Sequence, residues 1–541
     1  MGSIDANLAT SFLGGFKPLD LDDLRTQLHQ AVDFITDYYK HVDSHPVLAQ
    51  VEPGYLRRIL PPTPPGPAAA FDSVLHELRR GVLPGMTHWA SPSFFAYFPA
   101  TNSAASLAGD LVASALNPVA FTWLASPAAT ELEALVLDWL AHLLRLPQRF
   151  HHGGAGRGGG VLLATTSEAM LCTLVAARDA ALRRAGGGAG VAALPRLVAY
   201  GSDQTHSTFV KACRIAGFDP ALVRCVATRP ESEFALEPAR LREAMEADAA
   251  AGLVPAYVCV TVGTTSSTAV DPVGPIAEVA SLFGAWVHVD AAYAGSACIC
   301  PEFRGYLDGV ERADSVSLSP HKWLLTCLDC TCLWVRDTRP LTEALETDPE
   351  YLRNGPSESG RVTDLKDLQV GVGRRFRGLK LWMVLRAYGA DNLQAHIRGD
   401  VDMARAFEGM VRSDPRFEVA VPRRFALVCF RLRPRGGMGE EQAAAENRKL
   451  LELINASGRA YMTHTVLGPK YVLRFAVGST LTEHRHVAQA WELIKEMAHA
   501  VIMSTTVTTT TTAAAAAATT TNAAAPAAAA AAAVGASRSA A

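Results

Sequence analysis

Long uninterrupted apolar runs are missing from this chain, as are blocks of like charge and any regular cysteine framework. Nowhere do about twenty apolar residues pass without a charge through a region able to span a bilayer, so no transmembrane helix is expected. The 50 basic and 53 acidic side chains leave a formal charge of -3 and are spread along the chain. That balance removes the electrostatic argument for nucleic acid or an anionic membrane as partner. The opening, Met1-Gly2-Ser3-Ile4-Asp5-Ala6-Asn7, has neither the basic start nor the apolar stretch of a secretory leader. Ala6 stands where a myristoylation signal wants Ser or Thr. The ten cysteines lie inside apolar segments, and without a secretory context they read as reduced thiols. Cys327 and Cys330 form one C-x-x-C, yet no second pair and no histidine pair at zinc spacing accompanies it, so no metal site is expected. These absences describe a soluble, cytoplasmic protein, with room in 541 residues for two or three domains.

What is present begins with a helical pattern from Asp20, where Leu21, Leu24, Leu28, Val32 and Ile35 recur at three- and four-residue intervals. Met1–Lys17 carries little periodicity and reads as loose, and the prolines at 61, 62, 64 and 65 end this opening arm. The stretch from Met86 to Pro99 then crowds Trp89, Phe94, Phe95, Tyr97 and Phe98 among prolines, a pattern of neither regular helix nor strand. From Gly158 strands and helices alternate, which argues for a parallel α/β sheet. Thr166 and Ser167 fall at a strand-to-helix turn, where free N–H groups and the helix dipole suit a phosphate. Taken alone such a turn is also an ordinary N-cap. A dinucleotide site is disfavoured because the glycines 158–160 precede the strand. From about Gly399 the order changes to helix, two strands, helix, two strands and a helix over 483–502, a small α+β domain. Beyond Met503 threonine and alanine runs read as a low-complexity, disordered tail at 504–541.

The chemistry centres on Ser319-Pro320-His321-Lys322-Trp323, which follows an apolar alternating run over 313–318. A lysine there is expensive to bury as an ammonium unless something neutralises it. Upstream, Asp290 closes a second apolar strand over 285–289. Pyridoxal phosphate uses such a pair, a lysine for the Schiff base and an acid for the pyridine nitrogen. With His288 to Arg304, these motifs resemble the signatures of the group II pyridoxal-phosphate decarboxylases, and more narrowly of the plant aromatic amino-acid decarboxylases. The likeness runs from about Pro18 to about Ala500.

The resemblance implies the fold-type I architecture, with an N-terminal arm over 1–100, a cofactor-binding α/β domain over 101–398 and a small domain over 399–503. It implies pyridoxal 5′-phosphate as cofactor, bonded by Lys322, with Asp290 on the pyridine nitrogen and His206 stacked on the ring. Thr166, Ser167, Ser319 and His321 become phosphate ligands, and Thr265, Ala292 and Gly373 further cofactor contacts. Trp89, Tyr97, Phe98 and Pro99 become walls of an aromatic-substrate pocket, joined by His206 and Gly373. Val119 and Phe121 match positions supplied by the neighbouring subunit of a homodimer. Where the family often has a hydroxyl after Pro99, this chain has Ala100.

Two positions carry the choice of reaction and substrate. Tyr351 lies in a Gly-, Pro- and Ser-rich segment over 346–360 that reads as a mobile loop. In the decarboxylases a tyrosine there protonates the substrate carbon, whereas the related aldehyde synthases typically have phenylalanine. Gly373 matches a position that tends to be glycine in indole-selective members and serine in phenol-selective ones. The expected reaction is therefore tryptophan to tryptamine, with 5-hydroxytryptophan to serotonin beside it. A tyrosine/dopa decarboxylase is the alternative; an aldehyde synthase is disfavoured by Tyr351, and a catalytically silent scaffold by the intact site residues.

Overall fold

The computed structural model describes residues 17–154, 156–185 and 191–521. The first helix, α1 (Leu21–His41), begins at Asp20, whose carboxylate accepts from the N–H groups of Asp22 and Asp23. Asp22 and Asp23 at its start and Lys40 and His41 at its end complement the helix dipole. Among the described residues its apolar stripe stays largely open: Leu21, Val32 and Ile35 are all exposed. All but the last residue of the loose opening expected over Met1–Lys17 lies outside the described residues. Helices α2 (Ala104–Leu116) and α3 (Pro127–Leu143) follow the aromatic segment.

The large domain is built on seven strands: β1 (Gly159–Leu163), β2 (Leu197–Ser202), β3 (Val223–Val226), β4 (Val254–Thr261), β5 (Trp286–Asp290), β6 (Ser315–Leu318) and β7 (Thr331–Val335). Their order is β1-β7-β6-β5-β4-β2-β3, and β7 alone runs antiparallel to its neighbours. Successive residues turn to opposite faces, as a strand's two-residue period dictates. Leu162, Val198, Val258, Val287 and Val316 join one core, whereas Val161, Leu163, Leu197, Ala199 and Tyr257 join the other. With both faces covered, the strands are apolar throughout, as parallel sheets require. Helices α4 (Thr166–Arg184), α5 (Thr208–Ile215) and α6 (Val273–Leu282) are the crossovers after β1, β2 and β4. A single turn, α7 (Pro320–Trp323), follows β6.

The chain then enters α8 (Arg377–Ser413), broken at Gly389, whose φ of 65° suits glycine and interrupts the helix. Beyond it lie β8 (Phe417–Val419), β9 (Leu427–Leu432), α9 (Glu440–Ala456), β10 (Thr463–Leu467), β11 (Lys470–Ala476) and α10 (His484–Thr521). The four strands form an antiparallel sheet in the order β10-β11-β9-β8. One difference from the sequence reading is at the end: order was expected to stop at Met503, yet α10 continues to Thr521. The alanines there favour a helix as soon as α10 supplies its nucleus. Residues 522–541 of the expected tail lie outside the described residues. Among the described residues no helix is long and apolar enough to cross a membrane.

Candidate active site

The carboxyl ends of the parallel strands gather the expected residues along one edge of the sheet, where open α/β sheets form their clefts. In the register of β4, β5 and β6, Thr261, Asp290 and Ser317 stand in one row across the sheet. Asp290 is buried, and its carboxylate accepts from the N–H of Ala292 at 3.0 Å, while the Ala292 carbonyl accepts from the N–H of Ser319. The end of β5 is thereby tied to the turn carrying Lys322. Burial pushes the Lys322 amine below its ordinary pKa, and the Asp290 charge opposes that fall. His206, after β2, is likewise held below its usual range by burial first and then by Lys322, with Asp290 opposing. Three titratable groups on three strand ends thus feel one another.

Beside them lies a group of hydroxyls. Thr165, not Thr166, is the N-cap of α4; its side chain accepts from the N–H of Glu168. The hydroxyls of the next two residues are therefore spared that duty. Thr166 Oγ1 lies 2.8 Å from Ser319 Oγ, and Ser167 Oγ lies 2.8 Å from Thr208 Oγ1. Ser319 reaches on to Thr331 at 2.8 Å. His321 is buried, and its Nδ1 lies 2.7 Å from the Cys330 carbonyl oxygen and 3.1 Å from the Cys330 nitrogen. Burial and the neighbouring Lys322 push its pKa down to about 4, which keeps the ring neutral. Polar donors at the first turn of a 19-residue helix, next to an amine of depressed pKa, fit a phosphate-bearing aldehyde.

Lys322, His206 and His321 open onto a cavity of about 800 Å³. Trp89, Tyr97, Phe98, Pro99 and Ala100 form one wall, with His206, Thr265, His321 and Lys322 at its base. The Trp89 and Tyr97 rings stack at 5.5 Å, and Lys322 Nζ sits 5.9 Å from the centre of the Phe98 ring. Phe94 and Phe95 are turned away into the core.

Nine expected residues do not line this cavity: Thr166, Ser167, Asp290, Ala292 and Ser319, which the contacts above place around the turn of Lys322, and Val119, Phe121, Tyr351 and Gly373. Phe121, and neighbours of Tyr351 and Gly373 in the chain, make contacts around residues 364–366. The Phe121 carbonyl accepts from the N–H of Lys366, and Asp364 accepts from the N–H of Trp123 and from Asn354. Arg374, next to Gly373, donates to the Leu365 carbonyl. Asn354 also caps the short helix Gly355–Glu358, so the loop of Tyr351 is anchored at its far side. Tyr351 itself is 84% exposed, and a side chain built on Gly373 would meet no atom of this chain.

The sequence reading missed the opposite wall, which β10, β11 and α9 provide. Tyr461, Met462, Thr463, His464 and Arg474 line the cavity there. Tyr97 and Tyr461 share a hydroxyl–hydroxyl hydrogen bond of 2.9 Å, and Thr463 accepts from the Tyr97 N–H. Arg474 is buried, donates to the Ser266 carbonyl and to Thr463, and leaves Nη2 without a partner. A signal for it exists in the sequence: an arginine inside the apolar strand from Tyr471 to Val477 is costly unless the site uses it.

Comparison with known proteins agrees with this geometry. The model of the pyridoxal-dependent decarboxylase conserved domain matches residues 53–433. Tryptophan decarboxylase 1 of Oryza sativa subsp. japonica is 65% identical over 507 residues, covering 92% of this chain and 99% of the relative. Tyrosine decarboxylase of Papaver somniferum is 50% identical, over 93% of this chain and 100% of its own. A crystal structure of Oryza sativa TDC with PLP and tryptamine superposes with a TM-score of 0.88 at 66% identity, covering 90% of this chain and 99% of that one.

Proposed function

The chain belongs to the pyridoxal-dependent decarboxylase family, and within it we propose that it converts L-tryptophan to tryptamine and carbon dioxide, and 5-hydroxytryptophan to serotonin. The observation that carries the proposal is the placing of Lys322 beneath the aromatic wall of Trp89, Tyr97 and Phe98, with Asp290 and His206 within electrostatic reach. Bound there, pyridoxal 5′-phosphate supplies an electron sink for the pair released when the bond between Cα and the carboxylate breaks.

The residues of the chain do the rest. Lys322 supplies the amine that holds the cofactor aldehyde, and Asp290 keeps a proton on the pyridine nitrogen. His206 covers one face of the ring. Thr166, Ser167, Ser319 and His321 hold the phosphate, with Thr265 and Ala292 as further contacts. The apolar wall grips the indole and turns the carboxylate out of the ring plane, and Tyr351 returns a proton to the substrate carbon as general acid.

Tyr351, Val119, Phe121 and Gly373 belong to a second copy in this reading, each copy completing the other's cavity as a homodimer. That none of the four lines the Lys322 cavity supports it, as do the exposed apolar side chains of α1. The protein acts in the cytoplasm; its ten cysteines are all unpaired thiols, which suits a reducing compartment. Incubation with equimolar tryptophan, 5-hydroxytryptophan, tyrosine, dopa and phenylalanine, with products identified by mass, tests the proposal. Mostly tryptamine without peroxide is expected; mostly tyramine or dopamine would transfer the chain to the tyrosine/dopa decarboxylases.

A further inference from the structure

Asp400 is a carboxylate that the reaction above does not use, and it is buried on α8, beyond the break at Gly389. Burying an ionised carboxylate costs several kcal/mol unless partners compensate. The compensation here is specific: Oδ2 accepts from the indole N–H of Trp323 at 2.7 Å, and His396 Nε2 approaches to 3.5 Å. Trp323 is itself fully buried and is the residue after Lys322 in the single turn of α7.

From Trp323 a stack of rings leads back to the cavity. Tyr293 lies on Trp323 with centres 4.7 Å apart and planes 7° from parallel. Phe98 lies on Tyr293 at 3.7 Å and 10°. Phe98 is the ring over which Lys322 Nζ stands, and Arg474 stands 5.1 Å from it. The geometry between Phe98 and Tyr293 is close to face-to-face, because the centre separation barely exceeds the van der Waals thickness of one ring. Aromatic quadrupoles disfavour that sandwich relative to offset or edge-on pairs. Something outside the stack must therefore hold its planes, and the Asp400 hydrogen bond fixes the last of them.

We propose that Asp400 is a positioning residue for Lys322 and Phe98, acting through the indole of Trp323. The inference rests on the reading of Lys322 as the cofactor lysine. It gives α8, which in the chain lies between the two sheets, a direct hold on the reacting end of the site: the carboxylate fixes the indole, the indole fixes both the turn of α7 and the ring stack, and the stack sets the ring that faces the amine.

The test is a double-mutant cycle on the cofactor-loaded enzyme with Asp400→Leu, Trp323→Phe and the pair, and with Asp400→Asn as the conservative control. The readouts are the cofactor dissociation constant from its visible absorbance, and kcat and KM separately. Loss of a hydrogen bond to a charged group predicts roughly a tenfold weaker hold on the cofactor and a lower kcat, with KM little changed, for either single variant. The pair should be no worse than either single change, since both cut the same link. Asp400→Asn keeps an acceptor for the indole and should stay within about threefold of the parent. Effects of the two single changes that multiply, or an unchanged cofactor constant in a folded Asp400→Leu, would overturn the proposal. If Asp400→Leu does not fold, Trp323→Phe decides: an unchanged cofactor constant and kcat overturn it, and a tenfold loss rescued by no Asp400 change supports it. Lys322→Ala is run beside them, because retained visible absorbance and turnover there would sink the reading of Lys322 instead.

Discussion

The hydroxyl of Thr166, on the first turn of α4, lies 2.8 Å from that of Ser319 at the end of β6, although 153 residues separate them in the chain. Two hydroxyls meeting at a helix N-terminus, with Thr165 already serving as cap, are available to an anion. Thr166→Val removes one donor while keeping shape. Because hydrogen bonds to a charged group contribute about 1.5–3 kcal/mol, the dissociation constant for pyridoxal phosphate should rise roughly tenfold or more. The melting temperature of the cofactor-free chain should barely move. Absorbance titration of the apo-protein measures the first and thermal unfolding the second; an unchanged constant removes Thr166 from the phosphate.

Tyr351→Phe should divert the product without harming the fold. The side chain is 84% exposed, so losing its hydroxyl should change stability by less than about 0.5 kcal/mol. Without the phenol to return a proton, the released electrons react with dioxygen, and aldehyde, ammonia and peroxide replace the amine. Product mass together with oxygen uptake reads this out. A variant that still makes only amine shows that another group delivers the proton.

Gly373→Ser should move selectivity alone. The added Cβ meets no atom of the described chain within 4 Å, and the backbone there is not in the left-handed region, so the substitution fits without strain at Cβ. If a second copy's cavity receives it, kcat/KM should fall for tryptophan and rise for tyrosine. One added group at a pocket wall changes preference by about 1–3 kcal/mol, so the ratio should shift by roughly ten- to two-hundredfold. Steady-state kinetics on both substrates checks it, and an unmoved ratio places Gly373 outside the pocket.

His88 links the arm to the rest of the chain, and it sets a pH dependence. It is buried; its Nδ1 shares a hydrogen bond of 3.0 Å with the Tyr38 hydroxyl, and it stacks on His45 at 4.7 Å. Burial first, then His45, lowers its pKa from 6.5 to about 4. Between those values the unfolded chain binds the proton and the folded chain does not, so the contribution of His88 is complete above pH 6.5 and is lost as pH falls toward 4. The loss approaches 3 kcal/mol at about 1.4 kcal/mol per pKa unit. The stability difference between the parent and His88→Phe should therefore shrink by about that much across this window, as measured by urea unfolding at each pH. A constant difference means that His88 does not titrate on unfolding.

The reading of the sequence carried furthest where one strand end declares itself. The apolar runs ending at Asp290 and before Lys322 are strands, and the end of each places a charged side chain at the candidate site, because a charge following a buried strand has little choice of place. Thr166 is the instructive near-miss: pattern alone left it as cap or phosphate ligand, and only coordinates show Thr165 taking the cap. The wall made by Tyr461, His464 and Arg474 was illegible for a different reason. It comes from the small domain, about 140 residues past Lys322, and no local period records which distant strand closes a cavity. The run of alanine and threonine after Met503 shows the opposite failure, since composition argued for disorder and a preceding helix argued for continuation.

Glu133 and Arg374 form the ion pair with most at stake in the large domain. Both side chains are buried, Arg374 Nη2 donates to Glu133 Oε1 at 2.5 Å, and the same oxygen accepts from the N–H of Leu162 in β1 at 2.7 Å. Arg374 also donates to the Leu365 carbonyl. One carboxylate therefore ties α3, the edge strand and the segment beginning at Gly373 into a single arrangement. Glu133→Ala would leave a guanidinium buried with only carbonyl partners, which costs about 3–5 kcal/mol. Replacing both residues with apolar ones of similar size should recover much of that loss, because the stranded charge goes too. Urea unfolding of the two variants gives the stabilities. The consequence for activity is separable: in Glu133→Ala the freed Arg374 releases the segment carrying Gly373, so selectivity for tryptophan over tyrosine should fall even at temperatures where the variant is fully folded. A destabilised variant that keeps its selectivity would mean that the pair holds the fold and leaves the position of Gly373 to other contacts.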